Sequence, residues 1–180
     1  MKRLVYISLL VMLITATLVI FLLELSGYPG AMDDTQLGFN AEIIKAHFAM
    51  MKSEEITLFI PGNLVDYVFL MAYGCFFYCS VRYLSWNYQQ GSLPLKAGKM
   101  GAGIGVLSAI CDAVENFFLL SMTANPLGFP NWLAIAHSTF ALIKFIFMYL
   151  TIGWLILSFI LNKIPATSKR INGKVPTSVD

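Results

Sequence analysis

Two carboxylates and an amide share one face of a predicted helix at Asp112, Glu115 and Asn116. Their spacing of i, i+3 and i+4 places the three side chains on one side of a helix. The stretch around them is apolar, and a charge near the centre of a bilayer costs at least about 2.5–3.5 kcal/mol. A protonated carboxyl beside an ionised one is the arrangement that general acid–base catalysis uses. We therefore expect the chemistry of this chain near this helix face.

Polar side chains in two further apolar stretches are predicted to lie at similar depths in the membrane. Asp66 and Tyr73 are seven residues apart and share a helix face, and so do His137 and Lys144. At about 1.5 Å per residue, Lys144 falls near the level of the two carboxylates. Such side chains must face one another or water rather than lipid.

The expected ion pair joins Lys144 to Glu115, to Asp112 or to both. One ammonium against two carboxylates leaves a deficit of positive charge. One carboxyl is then protonated, or His137 is charged, or a cation or substrate amine completes the set. The candidate catalytic residues are Asp112, Glu115 and Lys144. The candidate ligand-binding residues are Asp66, Tyr73, Asn116 and His137.

A structural role is the alternative for these side chains. Hydrogen bonds between membrane helices contribute about 0.6 kcal/mol each on average, and they would account for the less costly polar groups. The free energy needed to bury the three charged candidates exceeds the stabilisation that such hydrogen bonds supply, which favours a function for these three residues. For a lone histidine such as His137, a structural hydrogen bond is the simpler role. The residues that interhelical bonding would explain are Asp66, Tyr73, Ser108, Asn116 and Ser138.

No metal and no cofactor is predicted. The candidate carboxylates are not accompanied by a His-x-x-x-His, Glu-x-x-His or Cys-x-x-Cys motif. Only His137 lies within a predicted span, which excludes haem held by two histidines. The three cysteines fall in apolar stretches and are predicted to be small buried hydrophobic residues. They are Cys75, Cys79 and Cys111.

The composition is typical of an integral membrane protein. The 180 residues are 58% hydrophobic and 12% charged, with a mean hydropathy of +0.72. Soluble domains are about 45–50% apolar and about 25% charged. The net charge is only +2, and the sequence has no basic, aromatic-rich patch, so no nucleic acid partner is predicted. Apolar segments at 4–25, 64–84, 100–122 and 132–161 predict an all-α, polytopic protein with four transmembrane helices.

The connection at 26–60 is the only sizeable segment predicted outside the membrane. Asn40 is predicted to cap an amphipathic helix that runs to about Lys52 on the outer surface of the bundle. Its apolar face would carry Ile43, Ile44, His47, Phe48 and Met51. Pro61 and Gly62 are predicted to break the chain before the second span. Residues 1–163 would form one domain, followed by a flexible cytoplasmic tail at 164–180.

The distribution of positive charge predicts the orientation of the chain. Nine of the twelve Lys and Arg residues fall on one side of a four-span arrangement and two on the other, with Lys144 inside a span. This asymmetry places both termini in the cytoplasm. The first span is too long for the apolar region of a signal peptide and lacks an A-x-A-like site, so we expect it to be retained.

Three short patterns resemble those of a family of small four-span bacterial membrane proteins of unassigned function. They are Asp66-Tyr67-Val68-Phe69 with Tyr73-Gly74, Asp112-Ala113-Val114-Glu115-Asn116, and Lys144-Phe145. The resemblance covers the second to fourth spans. It implies that these positions belong together and that the chain lies in a bacterial cytoplasmic membrane, and it implies no activity.

These residues are compatible with three functions. The chain is a membrane-embedded binding or accessory protein in the lipid bilayer, with a membrane protein or a second copy as partner. Alternatively, it is an enzyme acting on a lipid or isoprenoid, in which Asp112 and Glu115 are acid and base and Lys144 holds an anionic or carbonyl oxygen. In the third hypothesis it is a proton- or cation-coupled carrier in which the two carboxylates titrate.

Overall fold

The structure, a computed structural model, describes residues 1–29 and 32–163 and is all-helical over these residues. Four helices are long and apolar enough to span a membrane, and two short helices lie between the first and second of them. The predicted fold class is therefore confirmed, whereas the predicted tail at 164–180 lies outside the described residues. The helices are α1 (Lys2–Leu25), α2 (Met32–Leu37), α3 (Ala41–Ala49), α4 (Ser53–Ser85), α5 (Leu93–Thr123) and α6 (Asn131–Leu161).

The bundle is built around α4, which packs against α1 on one side and α5 on the other, while α6 packs mainly on α5. Helix α1 is peripheral, and its buried residues are Ser8 and Thr15. Both hydroxyls donate to carbonyls of their own helix, at 2.7 Å and 2.8 Å. We call the end that carries α2, α3 and residues 124–130 the cap end, and the opposite end the terminal end.

The start of α4 differs from the prediction, because the helix begins at Ser53 rather than near residue 64. The connection between the first two spans therefore ends at Lys52, not at residue 60. The Glu55 carboxylate accepts a hydrogen bond from the Lys52 N–H at 2.7 Å and so caps the first turn. Acidic side chains in the first turn, such as Glu54 and Glu55, also favour a helix start because of the helix dipole.

The prediction that Pro61 and Gly62 break the chain is also wrong. Both residues lie inside α4. Proline is tolerated within membrane helices because neighbouring groups compensate for the missing backbone donor. Gly62 instead allows close packing of α1, since a Cβ atom there would lie 3.3 Å from Cδ2 of Leu23.

Glycines bring α5 close to its neighbours in the half of the bundle near the terminal end, as the Gly101 and Gly105 spacing predicts. A Cβ atom on Gly105 would lie 2.7 Å from Cβ of Phe77, and one on Gly101 would lie 3.0 Å from Cδ1 of Trp154. Helix α5 starts at Leu93, seven residues earlier than the predicted span, with Ser92 as its N-cap.

Helix α3 is capped by Asn40, whose side chain accepts from the Glu42 N–H at 3.0 Å. It ends at Ala49, three residues before the predicted end. Its apolar face is confirmed, because Ile44, Phe48 and Met51 are buried against the bundle while Ile43 and His47 are half-buried. Hydrogen bonds from Ala41 N–H to Asn131 Oδ1 (2.8 Å) and from Phe39 N–H to Ser138 Oγ (3.0 Å) fix this segment on α6.

The prediction of buried cysteines is wrong. Cys75 is exposed, and Cys79 and Cys111 are half-buried, all three as free thiols. The physical reason is that lipid is as apolar as the bundle interior, so an apolar stretch does not tell an inward position from an outward one.

Candidate functional site

A layer of polar side chains crosses the bundle between two apolar layers. We call it the polar layer. The apolar layer toward the cap end combines residues of α3 with the adjoining parts of α4, α5 and α6. The other apolar layer surrounds Leu70 and Phe77 on α4. The polar layer consists of Asp66, Tyr73, Asp112, Glu115, Asn116, His137 and Lys144.

Lys144 lies between the two carboxylates of α5. Its Nζ is 2.8 Å from Asp112 Oδ1 and 2.6 Å from Glu115 Oε2. The prediction that Lys144 pairs with one or both is confirmed for both. Glu115 is 0% exposed, Lys144 6% and Asp112 7%, so the three charges are withdrawn from both water and lipid. Breaking such a buried set by removing one member is costly.

Neutral donors fix this ion triad to the surrounding helices. The Tyr73 hydroxyl of α4 donates to Asp112 Oδ2 at 3.0 Å. The Ser108 hydroxyl of α5 donates to the Lys144 backbone carbonyl at 3.0 Å. The triad therefore joins α4, α5 and α6 at one level, because each helix supplies at least one member or one donor.

His137 lies on the cap side of the triad and is fully buried. Its Nδ1 is 3.2 Å from the backbone carbonyl of Glu115, and a carbonyl can only accept, so Nδ1 carries a proton. Its Nε2 is 4.0 Å from Glu115 Oε1. Glu115 Oε1 has no hydrogen bond within the described part of the chain, whereas the His137 ring also lies beside the backbone carbonyl of Thr35.

Asp66 and Asn116 form the second pair of the layer. The Asn116 side-chain amide donates to Asp66 Oδ2, which links α4 to α5. Asp66 is half-buried, whereas Asn116 is 5% exposed. Asp66 therefore accepts a hydrogen bond from an amide and makes no direct contact with the Lys144 ammonium.

A cavity of about 130 Å³ opens beside these groups. It is bounded on one side by the charged residues of α4, α5 and α6, and on the other by α1 and by Gln36 of α2. The polar layer therefore connects to a space near the cap end. The lining residues are Val19, Leu23, Gln36, Gly62, Asn63, Asp66, Phe69, Asp112, Asn116, Leu119 and Lys144.

The charges in and behind this cavity do not balance. Three carboxylates, on Asp66, Asp112 and Glu115, face the single ammonium of Lys144, and a charged His137 would still leave the positive groups in the minority. This is the deficit expected from the sequence, enlarged by Asp66. With His137 neutral, two positive charges, supplied by protons or bound cations, would restore neutrality, and a buried unbalanced charge is strongly disfavoured otherwise.

The structure brings all seven predicted site residues into the polar layer, in two positions. Asp66, Asp112, Asn116 and Lys144 line the cavity, whereas Tyr73, Glu115 and His137 lie behind it. Whether they catalyse or bind stays a prediction. Among the residues described, no group of three or more His, Cys, Asp or Glu is arranged to hold a metal ion.

Sequence reasoning missed Asn63 and Gln36, which also line the cavity. Asn63 lies three residues before Asp66, and this spacing would have placed it on the same helix face. The mistaken chain break at Pro61-Gly62 left it at the edge of the span. Gln36 has no such signal, because only the packing of α2 against α6 brings it to the cavity.

Comparison with protein-family models, with curated proteins and with solved structures gives no match for this chain. The resemblance to small four-span bacterial membrane proteins therefore stays a prediction.

Proposed function

We propose that this protein is a membrane-embedded binding protein, whose ligand is a small polar molecule or the polar head of a membrane lipid. The observation that carries the proposal is the 130 Å³ cavity beside the buried ion triad. If the charged residues only joined helices, close packing would be expected around them. Instead, an open space adjoins three charged groups, on Asp66, Asp112 and Lys144.

We propose a bacterial cytoplasmic membrane as the location, which is what the resemblance to small four-span bacterial proteins implies. From the distribution of charge we propose that both termini lie in the cytoplasm, which puts the cap end outside. Positive residues concentrate at the terminal end, with Arg82, Lys96, Lys99 and Lys163 close to the helix ends there, in support of this orientation. A membrane protein or a second copy as partner stays a prediction.

The proposal is tested by filling the cavity from α1. Val19 is half-buried and lines the cavity, so a Val19→Phe side chain would occupy part of its volume. Ile20→Phe is the matched control, because Ile20 is 57% exposed on the same helix. Each variant is purified in mild detergent and denatured, and the released small molecules and lipids are quantified by mass spectrometry.

We expect wild type and Ile20→Phe to release the same compound in near-stoichiometric amount, and Val19→Phe to release at least tenfold less. Equal release from all three proteins, or release of bulk lipid alone from wild type, would contradict binding in this cavity. Circular dichroism confirms that each variant retains its helices.

A second candidate function, an enzyme acting on a lipid or isoprenoid, is favoured by the surroundings of Glu115. Its Oε2 contacts Lys144, and its Oε1 faces His137 Nε2 at 4.0 Å. A carboxyl group between an ammonium and an imidazole can pass a proton in either direction. If the released compound is chemically altered over time by wild type but not by Glu115→Gln, the enzyme hypothesis replaces simple binding.

A further inference from the structure

The chemistry of the cavity wall restricts the class of ligand, on the premise that the proposed binding function holds. Asn116 donates its amide N–H to Asp66, so its Oδ1 must point elsewhere. Asn63 likewise donates its Nδ2 to the Phe59 carbonyl at 2.9 Å, which leaves its Oδ1 as the remaining atom. Neither oxygen makes a hydrogen bond within the described residues.

Both amides are withdrawn from solvent and lipid. Asn63 is 4% exposed and Asn116 is 5% exposed, and both line the cavity. Neither amide oxygen is among the fully enclosed side-chain atoms that lack a partner in the described part of the chain, so both keep accessible surface. The wall between α4 and α5 therefore presents two amide oxygens that can accept hydrogen bonds from a molecule in the cavity.

The same wall has an excess of negative charge. The Lys144 ammonium is already placed between Asp112 and Glu115, at 2.8 Å and 2.6 Å. Asp66 has no cation of its own and contacts the neutral amide of Asn116. A ligand that carries both N–H donors and a positive charge would complement these groups, whereas an anion would meet a carboxylate.

We infer that the cavity binds a primary ammonium group, held by the Asp66 carboxylate and by the side-chain oxygens of Asn63 and Asn116. The three donors of an ammonium match these three acceptors in number. The volume of about 130 Å³ equals roughly four waters at about 30 Å³ each, which accommodates an ammonium and a short carbon chain.

An ammonium group could belong to a soluble amine or to the headgroup of phosphatidylethanolamine. Two binding measurements separate these sources. Thermal unfolding of the detergent-purified protein is followed with ethanolamine, with choline, which has no N–H, and with uncharged N-acetylethanolamine. Unfolding is also followed in nanodiscs that contain either phosphatidylethanolamine or phosphatidylcholine, each mixed with phosphatidylglycerol.

We expect the unfolding midpoint to rise with ethanolamine, with phosphatidylethanolamine or with both, and to respond at least tenfold more weakly to choline and N-acetylethanolamine at equal concentration. A response to ethanolamine alone identifies a soluble amine, and a response to the lipid alone identifies its headgroup. An equal response to choline would overturn the inference, because the site would then recognise charge without N–H donors.

Two variants locate the effect in the cavity. Asp66→Asn is expected to weaken the response at least tenfold, and Asp34→Asn, the same change at an exposed position, is expected to leave it unchanged. If Asp66→Asn does not fold, Asn63→Leu removes one acceptor and leaves the Asp66–Asn116 pair intact. An unchanged response in a folded Asp66→Asn or Asn63→Leu protein would overturn the inference.

Different experimental results would overturn the ammonium inference and the proposed binding function. If wild type releases a neutral or anionic compound that Val19→Phe does not, while no amine shifts the unfolding midpoint, the ammonium inference is overturned and binding in the cavity stands. If wild type releases no specific compound and no probe shifts its unfolding midpoint, both are overturned.

Discussion

Helices α4, α5 and α6 are held together in two different ways along their length. Toward the terminal end, Gly101 and Gly105 bring α5 so close to its neighbours that a Cβ atom would collide with Trp154 or Phe77. In the half nearer the cap end, the same helices carry the polar layer and its cavity, which an apolar layer with Phe48 and Phe59 separates from the cap end. One half of the bundle is joined by close glycine contacts, and the other combines an apolar layer with buried charge and a cavity.

The difference indicates which half holds the helices together, and under the proposed function the half with the polar layer serves the ligand. Packing of small residues stabilises helix association in lipid without any charged group. Buried ion pairs often contribute no more to stability than well-packed apolar residues of similar volume would. A bundle held by its close-packed half can keep an unbalanced set of charges in the other half, and we interpret the polar layer in this way.

The largest expected effect comes from removing the lysine alone. Lys144→Met leaves two buried carboxylates without their cation, and we expect the free energy of unfolding to fall by about 3–5 kcal/mol. Unfolding in detergent by a chemical denaturant measures the loss. Lys45→Met is the matched control, since Lys45 pairs with Glu42 at the surface and such a pair contributes about 0–1 kcal/mol.

Removing the whole triad sharpens the comparison. The triple variant Asp112→Asn, Glu115→Gln and Lys144→Met removes the three charges together and keeps the contact between Asp66 and Asn116, and we expect a stability within about 1 kcal/mol of wild type, or higher. A triple variant as unstable as Lys144→Met, or one that fails to insert, would show that the charges hold the helices together. The contrast between the two halves would then be lost.

Adding a single methyl group to α5 tests whether close glycine contacts stabilise the half near the terminal end. Gly105→Ala places a Cβ atom 2.7 Å from that of Phe77, and we expect a loss of about 1–3 kcal/mol in the free energy of unfolding. Gly103→Ala is the control on the same helix, because no atom lies within 4 Å of its Cβ position. There, alanine is expected to stabilise α5 by up to about 1 kcal/mol. Equal stability of the two variants would argue against the glycine contact.

Hydropathy and spacing were sufficient to predict the four spans and the helix face that carries Asp112, Glu115 and Asn116. They also predicted that Lys144 pairs with Asp112, with Glu115 or with both, because a charge within a membrane span is rarely left without a partner. The start of α4 was missed, since Pro61 and Gly62 are helix breakers in water but are tolerated in a packed membrane helix. The cavity was missed because it depends on how α1 and Gln36 close over α4, which no local pattern encodes.

The smallest expected effect concerns the cap that covers the charged half. The Tyr28 hydroxyl lies 2.6 Å from Thr35 Oγ1 and 3.1 Å from His47 Nδ1, and its ring stacks on Phe59 of α4. Tyr28→Phe keeps the stacking and removes the hydroxyl, so we expect a loss of about 1 kcal/mol at neutral pH. Tyr6→Phe, at an exposed position on α1, controls for removal of a hydroxyl elsewhere.

The pH dependence of this loss identifies its cause. Burial raises the pKa of Tyr28 from 10.0 to about 12, although the hydrogen bond with Thr35 lowers it in part. Because the folded protein holds the phenolic proton more tightly than the unfolded chain, this contribution is complete below pH 10 and is lost as the pH rises through about 12. We therefore expect the stability advantage of wild type over Tyr28→Phe to disappear between pH 10 and pH 12, because a rise of the pKa from 10.0 to about 12 corresponds to more than the roughly 1 kcal/mol that the hydroxyl contributes. A difference that stays constant over this range would show that the phenol is not shielded from water by the contacts with Thr35, His47 and Phe59.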